Sequence, residues 1–317
     1  LISMGLYRSP AVALMPDLTP KPLRSKGNAI INLMGAVGGL FALAMVTVII
    51  GNKQKPDYMP LFMEIAAFMV IAVVILVFTI KENKMKEKAI EEYGVVEMQA
   101  TEKDKADPAV KVPMDKDVKK SLTFLLLSVA LWYMAYNAVT TAISRYALHL
   151  WGEKSGMYTY CTMLAMVVAI ISYVPIGVLA SKIGRKKTIL GGVILMTICY
   201  ALAIMSTSFS FWLLIPFALI GFGWAAINVN SYPMVVAMSR GSDIGKYTGL
   251  YYTFSMSAQV LTPILSGFLL EKVSYYTLFP YAVVFSILAF ITMSQVKHGD
   301  EKAAKKESVL EHFDVDD

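Results

Sequence analysis

Charged side chains are scarce in this sequence. Only 16% of the 317 residues are Asp, Glu, Lys or Arg, against about 25% in a typical soluble protein. The mean hydropathy is +0.58, and the charges collect in short patches between long apolar runs. This pattern is typical of a polytopic membrane protein. The formal net charge of +6 therefore gives no reason to expect a nucleic-acid partner.

Cysteine and histidine are also rare. The two cysteines, Cys161 and Cys199, lie inside apolar runs, which predicts buried thiols rather than a disulfide or a metal site. The three histidines lack metal-ligand spacing, and no His, Cys or paired carboxylates form a catalytic group in the spans. We therefore expect neither an enzyme nor a cofactor. The short loops and the lack of an N-x-S/T acceptor favour a bacterial inner membrane.

The apolar runs predict an all-α membrane bundle, because backbone polar groups in lipid must be satisfied within each segment. The predicted helices are 1–15, 28–50, 59–80, 121–150, 156–180, 188–206, 211–238, 247–270 and 276–293. The first run is shorter than the roughly 20 residues that span a bilayer, and it lacks the basic start of a signal peptide. We expect it to be the end of a helix whose beginning is absent, so that the chain is a fragment.

Lys and Arg divide unequally between alternate connections. Twenty-three lie in one set and four in the other. The basic set comprises 16–27, 81–120, 181–187, 239–246 and the tail from 294; the other comprises 51–58, 151–155, 207–210 and 271–275. The positive-inside rule places the first set in the cytoplasm. The central loop 81–120 holds ten lysines and ten acidic residues, so we expect it to be mobile, with a helical stretch at 83–93.

An internal repeat links the passage 7–39 to the one that begins at Asn230. The repeat places Pro10 opposite Pro233, Gly27 opposite Gly249, Met34 opposite Met256 and Ala36 opposite Ala258. Such repeats occur in duplicated transporter halves, here expected to be related by a pseudo-two-fold axis along the membrane normal. Two six-helix halves then follow, with the first three helices absent. The predicted divisions are 1–80, 81–120, 121–295 and 296–317.

Residues 177–190 read GVLASKIGRKKTIL. The stretch resembles the cytoplasmic signature of the major facilitator superfamily, Gly-x-Leu-Ala-Asp-x-x-Gly-Arg-Lys. The matching residues are Gly177, Leu179, Ala180, Gly184, Arg185 and Lys186. The resemblance implies a bundle of six plus six helices in which this turn latches the two halves by charge contacts. Ser181 stands where the family has Asp, so that acid is absent here. The alternative is a generic basic loop that fixes topology.

The stretch RSPAVALMPDLTPKPLRSKGNA is similar to the fourth-to-fifth helix passage of sucrose-transporter-like carriers, which are close to the glycoside–pentoside–hexuronide cation symporters. The residues that carry the likeness are Arg8, Pro10, Ala13, Leu14, Asp17, Leu18, Arg24 and Asn28; Gly27 replaces an Ala. The resemblance implies that Asp17 and Arg24 matter for transport. We expect the two side chains to lie close together and to act in gating, and Arg8 to be a substrate-binding candidate.

A polar stripe follows the helix after the central loop. It comprises Tyr133, Asn137, Thr140, Thr141 and Ser144 at helical spacing, with Arg145 near the outer end. Polar side chains inside a membrane are costly and usually functional. The stripe suits a water-filled cavity that binds hydroxyl groups. The alternative is that these side chains hold packed helices together.

Three amides lie on other helices, Asn32, Asn228 and Gln259, and Trp224 precedes Asn228 by one turn. An aromatic ring beside amides suits a sugar, which has an apolar C–H face and a polar rim. The alternative is an aromatic side chain that only packs in the bundle. We expect four polar side chains to line one central cavity: Asn137, Thr141, Asn228 and Gln259.

Carboxylates are nearly absent from the spans. Only Asp17 and Glu64 lie near the membrane, both close to helix ends, and we expect Glu64 to be solvated. A cation-coupled carrier needs a titrating or cation-binding group, which here is either Asp17 or a residue of the absent helices.

Together these observations predict a monomeric sugar or glycoside symporter in a lipid bilayer, coupled to H⁺ or Na⁺ and working by alternating access. One alternative is an exporter of amphipathic compounds with Met-rich and aromatic walls. The other is a membrane sensor or scaffold that does not transport.

Overall fold

The structure is a computed structural model that describes residues 11–16, 18–19, 23–49, 59–93, 114–239 and 244–300. The regular structure in these ranges is all helical. The helices are α1 (Arg24–Ile49), α2 (Met59–Thr79), α3 (Glu82–Tyr93), α4 (Lys116–Leu150), α5 (Tyr158–Ile183), α6 (Arg185–Ile204), α7 (Leu214–Ala237), α8 (Ile244–Lys272) and α9 (Leu278–Ser294). Short 3₁₀ turns, Gly152–Met157, Phe211–Leu213 and Tyr275–Thr277, precede α5, α7 and α9.

Seven helices in the described ranges are long and apolar enough to cross a bilayer. They include α2, whose large apolar side chains are exposed along its length; Phe62 is 64% and Phe78 77% exposed. Helices with apolar surfaces of this extent need lipid or protein around them. The chain is therefore a multi-pass membrane protein, as the sequence predicts.

Helices α4 to α9 pack into one bundle. In it, α7 contacts α5 and α6, while α4 contacts α8 and α9. Glycine allows a close approach between α6 and α7. A Cβ atom placed on Gly192 would lie 2.8 Å from the Gly223 carbonyl oxygen. This approach fixes the position of α7, whose middle carries the candidate site.

Helix α1 lies against the outside of this bundle and contacts α5 and α7, while α2 packs on α1. Ala29 is buried in that contact with Tyr173, Ala225 and Val229. Residues 11–16 pack on the bundle as well: Ala13 is buried in its core, and the Tyr232 hydroxyl donates to the Val12 carbonyl at 3.3 Å. The bundle therefore contacts two described parts of the predicted first half. The division of the chain into 1–80 and 121–295 stays a prediction.

The helix boundaries follow the predicted ones closely, and the differences have local causes. Helix α4 begins at Lys116 rather than 121, because the Asp115 side chain caps it by accepting from the Asp117 N–H. Gly184 has φ of 101° and separates α5 from α6. This conformation favours glycine and explains why α6 begins at Arg185, ahead of the apolar run. The predicted helical stretch 83–93 is confirmed as α3.

One end of the bundle gathers the loops that are rich in Lys and Arg. The Ser121 hydroxyl lies 2.8 Å from His298 Nδ1, and the Lys186 ammonium donates to the Ser294 carbonyl at 2.9 Å. The Lys186 N–H also donates to Asp300 Oδ1. We call this end, formed by 24–25, 115–121, 184–187 and 294–300, the basic end. The prediction that the end of the central loop and the Gly184 turn share one face is confirmed; their assignment to the cytoplasm stays a prediction.

The sparsely charged connections meet at the opposite end. There the Tyr146 hydroxyl donates to the Ser206 carbonyl at 3.0 Å, and Arg145 pairs with Glu271. The predicted alternation of loops between the two ends therefore holds for 114–300 where the chain is described.

Some predictions concern residues outside the described ranges. They include Arg8, Pro10 and Asp17, most of the central loop and the tail beyond Asp300. The pseudo-two-fold relation and the proximity of Asp17 to Arg24 therefore stay predictions.

Candidate functional site

Three aromatic side chains of α4 and α7 meet near the middle of both helices. The rings of Tyr136 and Trp224 stack at 3.8 Å between centroids and 4° between planes. The rings of Tyr133 and Trp224 meet edge to face, with their centroids 5.1 Å apart and their planes at 86°. We call Tyr133, Tyr136 and Trp224 the aromatic cluster. Trp224 is only 8% exposed, because Tyr136 covers one face of its ring. Both tyrosines are half-buried. They therefore form the accessible part of the cluster.

Amides extend the aromatic cluster toward α1. Asn228 lies one turn after Trp224 on α7, and its side chain lies close to the phenol of Tyr173 on α5. From α1, the Asn28 amide donates to the carbonyls of Asn228 at 3.0 Å and Val229 at 2.7 Å. Polar groups of three helices therefore meet where α1 docks on the bundle.

The polar stripe of α4 forms hydrogen bonds within its own helix. Asn137 Nδ2 donates to the Tyr133 carbonyl at 2.8 Å, and Thr141 donates to the Asn137 carbonyl at 2.6 Å. Thr140 bonds the Tyr136 carbonyl in the same way at 3.1 Å. Threonine oxygen keeps acceptor capacity after donating, and Thr140 and Thr141 are exposed. The stripe can therefore still accept hydrogen bonds from a ligand.

Other predicted site residues lie apart from the aromatic cluster. Arg145 pairs with Glu271 at 3.4 Å, where the two side chains are 63% and 60% exposed. Gln259 is exposed on α8 and donates to Ser255 of its own helix. Asn32 is half-buried on α1 and donates to the Asn28 carbonyl at 2.8 Å. The structure thus brings Tyr133, Trp224 and Asn228 together, whereas one cavity lined by Asn137, Thr141, Asn228 and Gln259 stays a prediction.

A cavity of about 30 Å³ lies beside Tyr136. Its polar lining comes from Tyr136, Thr140, Thr162 and Tyr200. A space of this size holds water rather than a sugar. The helices in this conformation are therefore closed around Tyr136 on that side.

Three tyrosines of this region, Tyr136, Tyr173 and Tyr200, are absent from the predicted site. The sequence predicts that a tyrosine within an apolar helix packs in the protein core. The one sequence signal for this site was the three-residue spacing of Tyr133 and Tyr136, which places both side chains on the same face of α4.

The Gly184 turn joins α1 to the bundle at the basic end. Arg185 is 1% exposed, and its Nε donates to the Ser25 hydroxyl of α1 at 2.9 Å. A Cβ on Gly177 would lie 3.0 Å from Ala29 Cβ. Ser181 instead bonds its own helix, at the Gly177 carbonyl. This turn therefore contacts the predicted first half through the hydrogen bond from Arg185 to the Ser25 hydroxyl. The family resemblance implies a contact between the two halves at this turn.

Arg24 contacts described residues that precede α1. Its guanidinium donates to the backbone carbonyls of Thr19 at 3.3 Å and Pro16 at 3.1 Å, and it is 7% exposed. Arg24 therefore joins α1 to Pro16 and Thr19, close to where Arg185 binds Ser25.

Comparisons with known proteins give the family. The sequence profile of the Major Facilitator Superfamily matches residues 2–171 and 152–313. The chloramphenicol resistance protein CraA of Acinetobacter baumannii is 25% identical over 139 residues, which is 44% of this chain and 33% of the relative. The chain thus aligns with a third of the length of that curated relative.

A solved structure shares the fold. The proton:xylose symporter XylE of the same superfamily, bound to 6-bromo-6-deoxy-D-glucose, matches with a TM-score of 0.61 at 13% identity. The match covers 92% of this chain and 68% of that one. The helix order and the basic Gly184 turn agree with the family profile match. The chain belongs to the Major Facilitator Superfamily.

Proposed function

We propose that the protein is a secondary active transporter that moves a sugar or glycoside together with H⁺ or Na⁺ by alternating access. The observation that carries the substrate class is the group of neutral aromatic and amide side chains at mid-membrane, Tyr133, Tyr136, Tyr173 and Asn228. It lies where α1 meets the bundle, which is where two rocking halves would enclose a solute.

The chemistry of this region fits a neutral polyol. Phenol rings pack against the C–H face of a sugar, while the Asn228 amide and the hydroxyls of α4 match its rim. Tyr133 and Asn137 share one face of α4, one turn apart. The polar groups of this region are uncharged amides and hydroxyls, so an ionic substrate would find no charged partner among them.

Coupling requires a group that binds a proton or a cation. Asp17 keeps that candidacy from its place before the Arg24 turn. Arg24 and Arg185 are both buried at the basic end. In this proposal the Asp17 carboxylate changes pairing partner between these two guanidinium groups as the halves move. In this proposal Asp17 gates or couples transport, and the amides of the site bind the solute.

A second function has its own support. CraA is a chloramphenicol resistance protein, and an exporter of amphipathic compounds would use the same stacked aromatic rings for a substrate's aromatic group. The XylE match, at 13% identity, supports the fold and does not choose between sugar and drug. We favour the sugar because the aromatic rings lie beside amides and hydroxyls rather than in a wholly apolar pocket.

The test is transport by the purified protein in proteoliposomes. A panel of labelled pentoses, hexoses and disaccharides is offered under an inward H⁺ gradient and, separately, an inward Na⁺ gradient. We expect one sugar to accumulate under one gradient and an ionophore to abolish the accumulation. Movement of chloramphenicol without any sugar would establish the exporter instead, and movement of neither would favour the sensor or scaffold.

We also propose that the basic end faces the cytoplasm in the cell membrane. The excess of Lys and Arg at this end supports the assignment. A Lys182→Cys variant, exposed at that end, should resist a membrane-impermeant maleimide in intact cells and react after permeabilisation. Labelling in intact cells would reverse the orientation.

A further inference from the structure

Pro233 creates an unusual acceptor inside α7. Proline has no backbone N–H, so a proline within a helix leaves the carbonyl four residues earlier without its usual donor. Pro233 is inside α7, and the carbonyl concerned is that of Val229. Both residues are buried, where an unpaired carbonyl is unfavourable. Helix α7 therefore has one carbonyl that needs a donor from elsewhere.

Asn28 of α1 supplies that donor. Its Nδ2 lies 2.7 Å from the Val229 carbonyl oxygen, and 3.0 Å from that of Asn228. Asn28 is 5% exposed. The bond joins residues 201 positions apart, one on α1 and one in the bundle that contains α7. A donor that completes the α7 hydrogen bonding at Val229 therefore comes from the predicted opposite half.

We propose that Asn28 and the Val229 carbonyl form a latch that keeps the basic end closed and breaks each time that end opens. The proposal rests on the alternating access proposed above. Within the described residues, α1 reaches the bundle through α5 and α7. The Arg185–Ser25 bond lies one turn away along α1, and Gly177 lets the backbones approach. Separation of α1 from α5 and α7 at this end must therefore break the Asn28 bonds.

The strength of the latch suits a repeated movement. The bond is between neutral groups, so its net effect on an equilibrium is only a few-fold. When the end opens, water can solvate both the freed carbonyl and the amide, which limits the unfavourable energy of breaking the bond.

The second copy of the internal repeat lacks the donor that Asn28 supplies in the first copy. The internal repeat places Leu250 where the first copy has Asn28. A leucine offers no donor, so the repeat-related contact on the other side of the molecule lacks this bond. Because the predicted axis runs along the membrane normal, the repeat-related contact belongs to the same basic end, and this end then has one bond of this kind rather than two.

The experiment measures opening of the basic end without substrate. Spin labels at Lys26→Cys on α1 and Lys182→Cys on α5, both exposed, report the distance across the interface, in a Cys161→Ala, Cys199→Ala background. We expect Asn28→Ala to raise the ratio of open to closed molecules about five-fold, the effect of one neutral hydrogen bond. Asn28→Asp, which has the same size but lacks the donor, should open the end at least as much.

Two controls identify the cause. Asn32→Ala removes an amide one turn away on α1 that bonds within its own helix, and it should leave the distance distribution unchanged. In a Pro233→Ala background a backbone N–H returns to position 233 and satisfies Val229, so the effect of Asn28→Ala should shrink. An unchanged distribution in folded Asn28→Ala and Asn28→Asp proteins would overturn the latch, and a full effect in the Pro233→Ala background would overturn the role of the proline. The readout needs no solute, so it is independent of whether the substrate proves to be a sugar.

Discussion

The close approach of α6 and α7 predicts opposite effects for two neighbouring glycines. A Cβ on Gly192 would lie 2.8 Å from the Gly223 carbonyl oxygen and 2.9 Å from Ala226 Cβ, whereas one on Gly191 would meet nothing within 4 Å. Ordinary contacts begin at 3.4 Å, so Gly192→Ala must push the two backbones apart by roughly half an ångström. Overpacking of this kind destabilises by about 1–3 kcal/mol.

Gly191→Ala is the matched control, because it adds the same methyl group to the same helix. It should gain up to about 1 kcal/mol, since alanine favours a helix more than glycine. Gly192→Ala receives the same gain, so the two variants should differ by the overpacking alone, about 1–3 kcal/mol. Reversible unfolding by SDS in mixed micelles gives both values. Equal stability of the two variants would refute the proposed contact between α6 and α7.

Three further predictions concern other contacts. Gly177→Val should push α1 away from α5 and raise the reaction of a thiol at the basic end with an impermeant maleimide; unchanged reactivity would argue against a close α1–α5 contact. Tyr136→Leu should uncover one face of Trp224, shift the tryptophan emission and weaken solute binding about two- to twelve-fold, since such stacking contributes about 0.5–1.5 kcal/mol; identical emission would contradict the stacking. Arg145→Gln should change stability by less than about 1 kcal/mol, because the pair with Glu271 is exposed, and a larger loss would show that Arg145 has a partner beyond Glu271.

The membrane helices could be predicted from the sequence because hydropathy alone specifies them. The predicted run 188–206 matches α6 except at its start, where the φ of Gly184 rather than apolarity decides the boundary. The charge pattern likewise predicted which loops share an end, and the Lys186 and Ser121 contacts confirm it.

The site was harder to predict, because its geometry depends on packing between helices. Trp224 was expected to present its ring, but Tyr136 covers one face, and nothing in the sequence specifies how two helices rotate against each other. Asn28 appeared only as part of a motif. Its contact depends on the carbonyl that Pro233 leaves free, a signal that is present in the sequence but useful only once α1 and α7 are known to touch.

The most direct test of the account is the affinity of the protein for the sugar that it accumulates best. Equilibrium binding is measured for the unchanged protein and for Asn228→Ala, which removes the amide beside Tyr173. Thr197→Val is the control, since its hydroxyl bonds Ser286 in the contact between α6 and α9. We predict a loss of at least about five-fold for Asn228→Ala, corresponding to about 1–3 kcal/mol for a polar partner left unpaired, and no loss for the control. Unchanged affinity in a correctly folded Asn228→Ala protein would contradict a sugar site at the aromatic cluster.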